Sequence, residues 1–143
     1  MIILGVDFGD RRTGLAVSDP SCFLAGGVCT VTGDGKRAVA RKIANIAAER
    51  KCELIVVGIP INMDGSYGPR AEKCRDFGVL LGELTSLPVE YMDERCTTVE
   101  AHSFLNETNT RGKARKGVVD TLAAEIILQD YLDSGAWKSL NNS

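Results

Sequence analysis

Residues 2–8, IILGVDF, stay apolar and largely β-branched until a carboxylate at Asp7, the pattern of a strand buried on both faces. TGLAVSD (13–19) and GGVCTVT (26–32) follow after turn signals and predict two further strands linked as hairpins. In the stretch from Gly35 to Lys51, Val39, Ile43, Ile46 and Ala47 recur at helical spacing with Lys and Arg opposite. ELIVVGIP (53–60) is a buried strand closed by Pro60. The Gly-rich NMDGSYG (62–68) leads to Pro69, suited to a helix's first turn, and Cys74, Phe77, Leu81 and Leu84 mark one face behind it. Pro88 ends that helix, and VEYMDE (89–94) is the fifth strand. Thr97 or Thr98 is placed to cap a short helix, with Glu100 at the capping-box position for Thr97. NETNTRGKARKG (106–117) is polar apart from Ala114 and reads as a mobile basic loop, followed by a last helix over about 118–132 and a tail over about 134–143.

The order β-β-β-α-β-α-β-α-α predicts an α/β domain with a mixed five-stranded sheet, three antiparallel strands first and parallel crossovers after, with helices on both faces. A chain of 143 residues suits a single domain, 1–143, with no repeat or linker.

Charge changes the picture in one respect. The formal net charge is −2, so no global field draws in polyanions, and any contact with nucleic acid must come from local basic clusters. The five cysteines, Cys22, Cys29, Cys52, Cys74 and Cys96, are odd in number and never form a C-x-x-C pair, which points to free thiols in a reducing cytosol. The amino terminus has no basic flank and no apolar run nears the ~18 residues of a membrane span, so no membrane partner and a cytoplasmic location are expected.

The candidate chemistry is acidic. Asp7 lies late in a central strand. Asp120 precedes Ala123, Ala124, Ile127 and Tyr131 at i+3, i+4, i+7 and i+11, so it shares the helix face that packs on the sheet. Glu94 closes the fifth strand, with Asp93 as its rival because adjacent strand residues point to opposite faces. Each acid taken alone has an ordinary explanation as a cap or an ion pair. Together, two at strand ends and one on a covering helix, they can converge at one sheet edge, where they would need a cation to neutralise them. Without a His or Cys cluster, oxygen-only ligation points to Mg²⁺ or Mn²⁺, which suits phosphodiester hydrolysis. Gly9 then lets a phosphate approach the backbone near Asp7. Arg11 and Arg12 in the first turn, with Arg111, Lys113, Arg115 and Lys116 before Asp120, are the candidate phosphate contacts. His102 reads as a surface residue, Cys96 as a packed cysteine, Tyr67 as a weak substrate-contact candidate, and Trp137 as cover for an apolar patch or an oligomer contact.

The stretches GVDFGDRRTGLAVSD, IVVGIPINMDGS, MDERCTTVEA and VVDTLAAEIILQDYL resemble the YqgF/RuvX family over about residues 2–133. The resemblance implies an RNase H-like fold and an acidic site of Asp7, Glu94 and Asp120. It also implies a divalent-metal-dependent nuclease on structured nucleic acid, described for members both as Holliday-junction resolution and as processing of the 5′ end of pre-16S rRNA. Thr13, Cys96 and Thr121 depart from the family's habits, Thr121 standing where a lysine is common. Two other classes stay open at this point, a non-catalytic nucleic-acid-binding module and a half-domain of a phosphotransferase. A monomer and a homodimer are equally compatible with the sequence.

Overall fold

The computed structural model describes residues 1–61, 65–93 and 112–141, and of residues 112–120 and 139–141 it describes the backbone alone. Strands β1 (Ile3–Asp7), β2 (Thr13–Ser18), β3 (Ala25–Val31), β4 (Leu54–Ile59) and β5 (Val89–Asp93) form one sheet in the order β3-β2-β1-β4-β5. β2 runs antiparallel to β1 and β3, whereas β4 is parallel to β1 and β5 to β4. This is the mixed sheet that the element order predicts. β4 is buried along its whole length, as its unbroken apolar run requires of a strand covered on both faces.

Helices α1 (Lys36–Glu49) and α2 (Pro69–Thr85) cover one face, and α3 (Gly112–Ser134) covers the other, followed by the short α4 (Ala136–Asn141). Period-two alternation sorts the strand residues between two cores. Leu4, Val6, Ile55, Val57 and Ile59 pack with Ile43, Phe77 and Leu81 under α1 and α2. Ile3, Ala16, Leu54 and Val56 pack with Ala124, Ile127, Leu128 and Tyr131 under α3. α2 opens on Pro69 and stops where Ser86 turns left-handed, two residues before Pro88. Trp137 joins the second core and donates its indole N–H to the Leu132 carbonyl at 3.0 Å, so it covers an apolar patch of its own chain. Tyr131 carries a buried hydroxyl with no partner among the described residues, and burial pushes its phenol up to about 12.

Two expectations need correction. The last helix begins at Gly112, so residues 112–117 are helical where the lack of apolar residues had placed them in a basic loop. Ala, Lys and Arg are strong helix formers, and in GKARKG that propensity wins over the missing apolar stripe. The tail after Ser134 is also partly helical, as α4. The rest of that loop, residues 106–111, and the short helix expected after Thr97 or Thr98 lie outside the described residues.

α3 approaches β1 more closely than any side chain at residue 5 would permit. A Cβ on Gly5 would stand 2.8 Å from the Leu128 Cβ and 3.2 Å from the Ala124 carbonyl oxygen. Gly26, in contrast, has open space around it. Overpacking of this kind costs about 1–3 kcal/mol. Thermal unfolding should therefore show Gly5→Ala destabilised by about that amount and Gly26→Ala within about 0.5 kcal/mol of wild type. Equal stability of the two variants would mean that α3 does not ride on the β1 backbone.

Candidate active site

The parallel strands β1, β4 and β5 all end at one edge of the sheet, at Asp7, Ile59 and Asp93. Asp7 is half-buried and pairs in register with Gly14 of β2. Alternation from Leu4 and Val6 places it on the α3 face, in line with Ile3 and Gly5. Phe8 takes the other face and stacks on Phe77 of α2, with ring centroids 4.2 Å apart. The end of β1 is thus anchored on the α2 side.

α3 runs antiparallel to β1. Leu128 and Ala124 lie over Gly5, the Gln129 side-chain oxygen accepts the Ala25 amide at 2.9 Å, and Thr121 stands 3.5 Å from Thr30 further along β3. Lower numbers on α3 therefore lie towards the Asp7 edge. Position 120 is one turn beyond Ala124 in that direction, about 6 Å along the axis, and it shares the stripe of Ala124, Ile127 and Tyr131, all buried. Lys113, Arg115 and Lys116 fall on the same helix, nearer its start, on positions whose backbone alone is described. Thr121 stands against Gly27 and Thr30 of β3, so the loss of a lysine there falls at the helix–sheet contact.

Asp93 pairs with Ile59, which packs under α2, so it lies on the opposite face from Asp7. This removes it as the rival of Glu94 on the Asp7 side. Glu94 and Arg111 lie outside the described residues. Among the described residues, no three His, Cys, Asp or Glu side chains gather as a metal site, and two of the three candidate acids have no described side chain.

The turn between β1 and β2 gives Gly9 a different role from the expected one. The space that a Cβ would fill is taken by the Arg12 carbonyl, so glycine is needed to let the turn fold onto itself, with or without a phosphate nearby. Arg11 is exposed and Arg12 half-buried on that turn. A further residue, Arg70 in the first turn of α2, donates to the Phe8 carbonyl at 3.2 Å and to the Asp10 carboxylate at 3.4 Å. It ties the turn after Asp7 to α2. Nothing local in the sequence signals a contact across 60 residues, although a basic residue in GPRAE beside a Gly-rich loop was there to be weighed.

The Arg70–Asp10 pair is exposed and contributes little to stability, within about 1 kcal/mol. Its effect is on the order of the turn. In Arg70→Ala, the melting temperature should change by only a few degrees while amide exchange at residues 9–12 becomes faster. Unchanged exchange there would show that the turn holds its shape without α2.

Residues 1–134 match the family described as RuvX, Holliday junction resolvase. A protein of Caldanaerobacter subterraneus subsp. tengcongensis is 46% identical over 136 residues, which span 94% of this chain and 97% of that one, and it bears pre-16S rRNA nuclease as a provisional name. A protein of Halothermothrix orenii with the same provisional name is 45% identical over 141 residues, 93% of this chain and 95% of its own. Among solved structures, T. thermophilus RuvC in complex with a Holliday junction substrate has a TM-score of 0.59 at 13% identity, covering 95% of this chain and 97% of that one. The Fowlpox virus resolvase with Holliday junction DNA has a TM-score of 0.60 at 12% identity, covering 95% and 99%. Likeness at that identity is likeness of fold, and the fold is the RNase H-like one expected from the sequence.

Proposed function

This chain belongs to the RuvX family, and we propose that it is a divalent-metal-dependent nuclease acting on structured nucleic acid, with the 5′ end of a 16S rRNA precursor as its substrate. The observation that carries the reading is the position of Asp7, a half-buried carboxylate at the end of the central strand, on the sheet face that α3 covers. Asp93 lies on the other face, which favours Glu94 as the second acid.

Asp7 fits a hydrated hard cation, since it offers oxygen donors and keeps access to solvent at the sheet edge. Asp7, Glu94 and Asp120 would hold Mg²⁺ or Mn²⁺. Bound there, such a cation polarises a phosphodiester oxygen and lowers the pKa of water. The protein's own part is positional. Phe8 on Phe77, and Arg70 on the Phe8 carbonyl, fix the direction of Asp7. Arg11 and Arg12, with Arg111, Lys113, Arg115 and Lys116, engage phosphates on either side and set the register of the strand. Gly9 shapes the turn that presents the first two. The more similar relatives favour RNA, while the family description favours branched DNA, so both belong in the test.

With Mg²⁺, the wild type should cleave an RNA spanning the 16S 5′ leader in preference to a four-way DNA junction, and chelation should stop it. Asp7→Asn should lower the rate at least 100-fold, about 3 kcal/mol of transition-state stabilisation, with its fold unchanged by circular dichroism. Cleavage at equal rates by wild type and Asp7→Asn would exclude this site.

A further inference from the structure

Another side-chain cluster lies near the same edge on the opposite face of the sheet. The guanidinium carbon of Arg75 lies 5.5 Å from the ring centroid of Tyr67 and 5.9 Å from that of Tyr91, so one cation sits over two aromatic rings. Tyr91 is fixed in place. Its ring occupies the space above Gly78, where a Cβ would come 2.7 Å from the phenol oxygen, and its hydroxyl donates to the Arg75 carbonyl at 3.3 Å. Tyr67 differs, for it is 55% exposed, in the loop that follows β4. More than half of this side chain therefore stays open to solvent beside the guanidinium.

Exposed cation–π contacts add little to stability, so the fold has small need of this arrangement. What it supplies is an aromatic plane oriented before any ligand arrives. Asp76 follows Arg75 on α2 and is exposed, so the patch offers stacking more than net positive charge. Base stacking on exposed aromatics is tolerant of sequence and is open to unstacked, single-stranded bases, because bases inside a duplex have their faces covered by their neighbours. The cluster lies on the α2 face and Asp7 on the α3 face, so one strand of nucleic acid reaching both would pass around the sheet edge where β1, β4 and β5 end.

We propose that the Tyr67–Arg75–Tyr91 stack is a docking platform for an unpaired nucleobase, so that the substrate carries single-stranded nucleotides as well as paired ones. The platform rests on the nuclease reading for its place in catalysis, though not for its binding. Tyr67 supplies the stacking face, Arg75 fixes the ring plane, and Tyr91 backs the guanidinium from β5.

The test is fluorescence anisotropy in chelator with two RNA hairpins, one blunt and one bearing a 5′ single-stranded overhang that contains 2-aminopurine. Wild type should prefer the overhang and quench the 2-aminopurine. Tyr67→Leu should lose about ten-fold or more in affinity for the overhang, leave the blunt hairpin unaffected and keep the same salt dependence, while Tyr67→Phe retains the preference. Equal binding of the two hairpins by wild type, or a Tyr67→Leu variant that binds the overhang as well as wild type does, would overturn the platform. Chelation prevents metal-dependent cleavage, so these affinities are read separately from the nuclease reading. Loss of the overhang preference and absence of cleavage are thus distinguishable failures.

Discussion

Asp7 ends a strand whose preceding residues, Ile3–Val6, are wholly buried, and a carboxylate in that position must be hydrated, paired or bound to a cation. The sheet edge answers the first need. Because β1, β4 and β5 are parallel, their ends open together and give the carboxylate access to water while its backbone stays in the centre of the sheet. Ligand sites of open α/β sheets lie at such carboxyl ends. The neighbouring contacts follow from this placement. Phe8 turns into the α2 core, Arg70 reaches the carbonyl beside it, and Gly9 lets the turn close.

The second requirement is the direction of α3. Gly5 removes a side chain from β1, and Gly27 does the same under Thr121 and Glu125, so the helix lies close to the sheet across β1, β2 and β3. A helix seated on bare backbone has little freedom to slide, since interiors are close-packed. The position of residue 120 is therefore set from below, by Ala124 and Leu128 on Gly5, before any ligand is considered. Fold and candidate site share one packing contact.

The strands and the first two helices were legible because their apolar periods are clean, as in β4 and in the Val39, Ile43, Ala47 stripe of α1. The start of α3 was hidden, since GKARKG has helix-forming residues and no apolar face to report them. Asp7 and the stripe behind Asp120 were readable from spacing. The choice between Asp93 and Glu94 was not, because a strand's alternation is visible in sequence while its phase relative to the neighbouring strand is fixed only by pairing, here Ile59 with Asp93. Arg70 and the stack of Tyr67, Arg75 and Tyr91 were invisible for a related reason. Each joins side chains from separate elements, and no local period marks a contact made across the fold.

We propose that Asp7, Glu94 and Asp120 hold one divalent-cation centre at the α3 side of the sheet edge. Anomalous diffraction from crystals of the wild-type chain soaked in Mn²⁺ tests it most directly. A manganese peak with oxygen ligands from all three carboxylates is expected. Carboxylates each closed onto an arginine or lysine, with no peak among them, would contradict it.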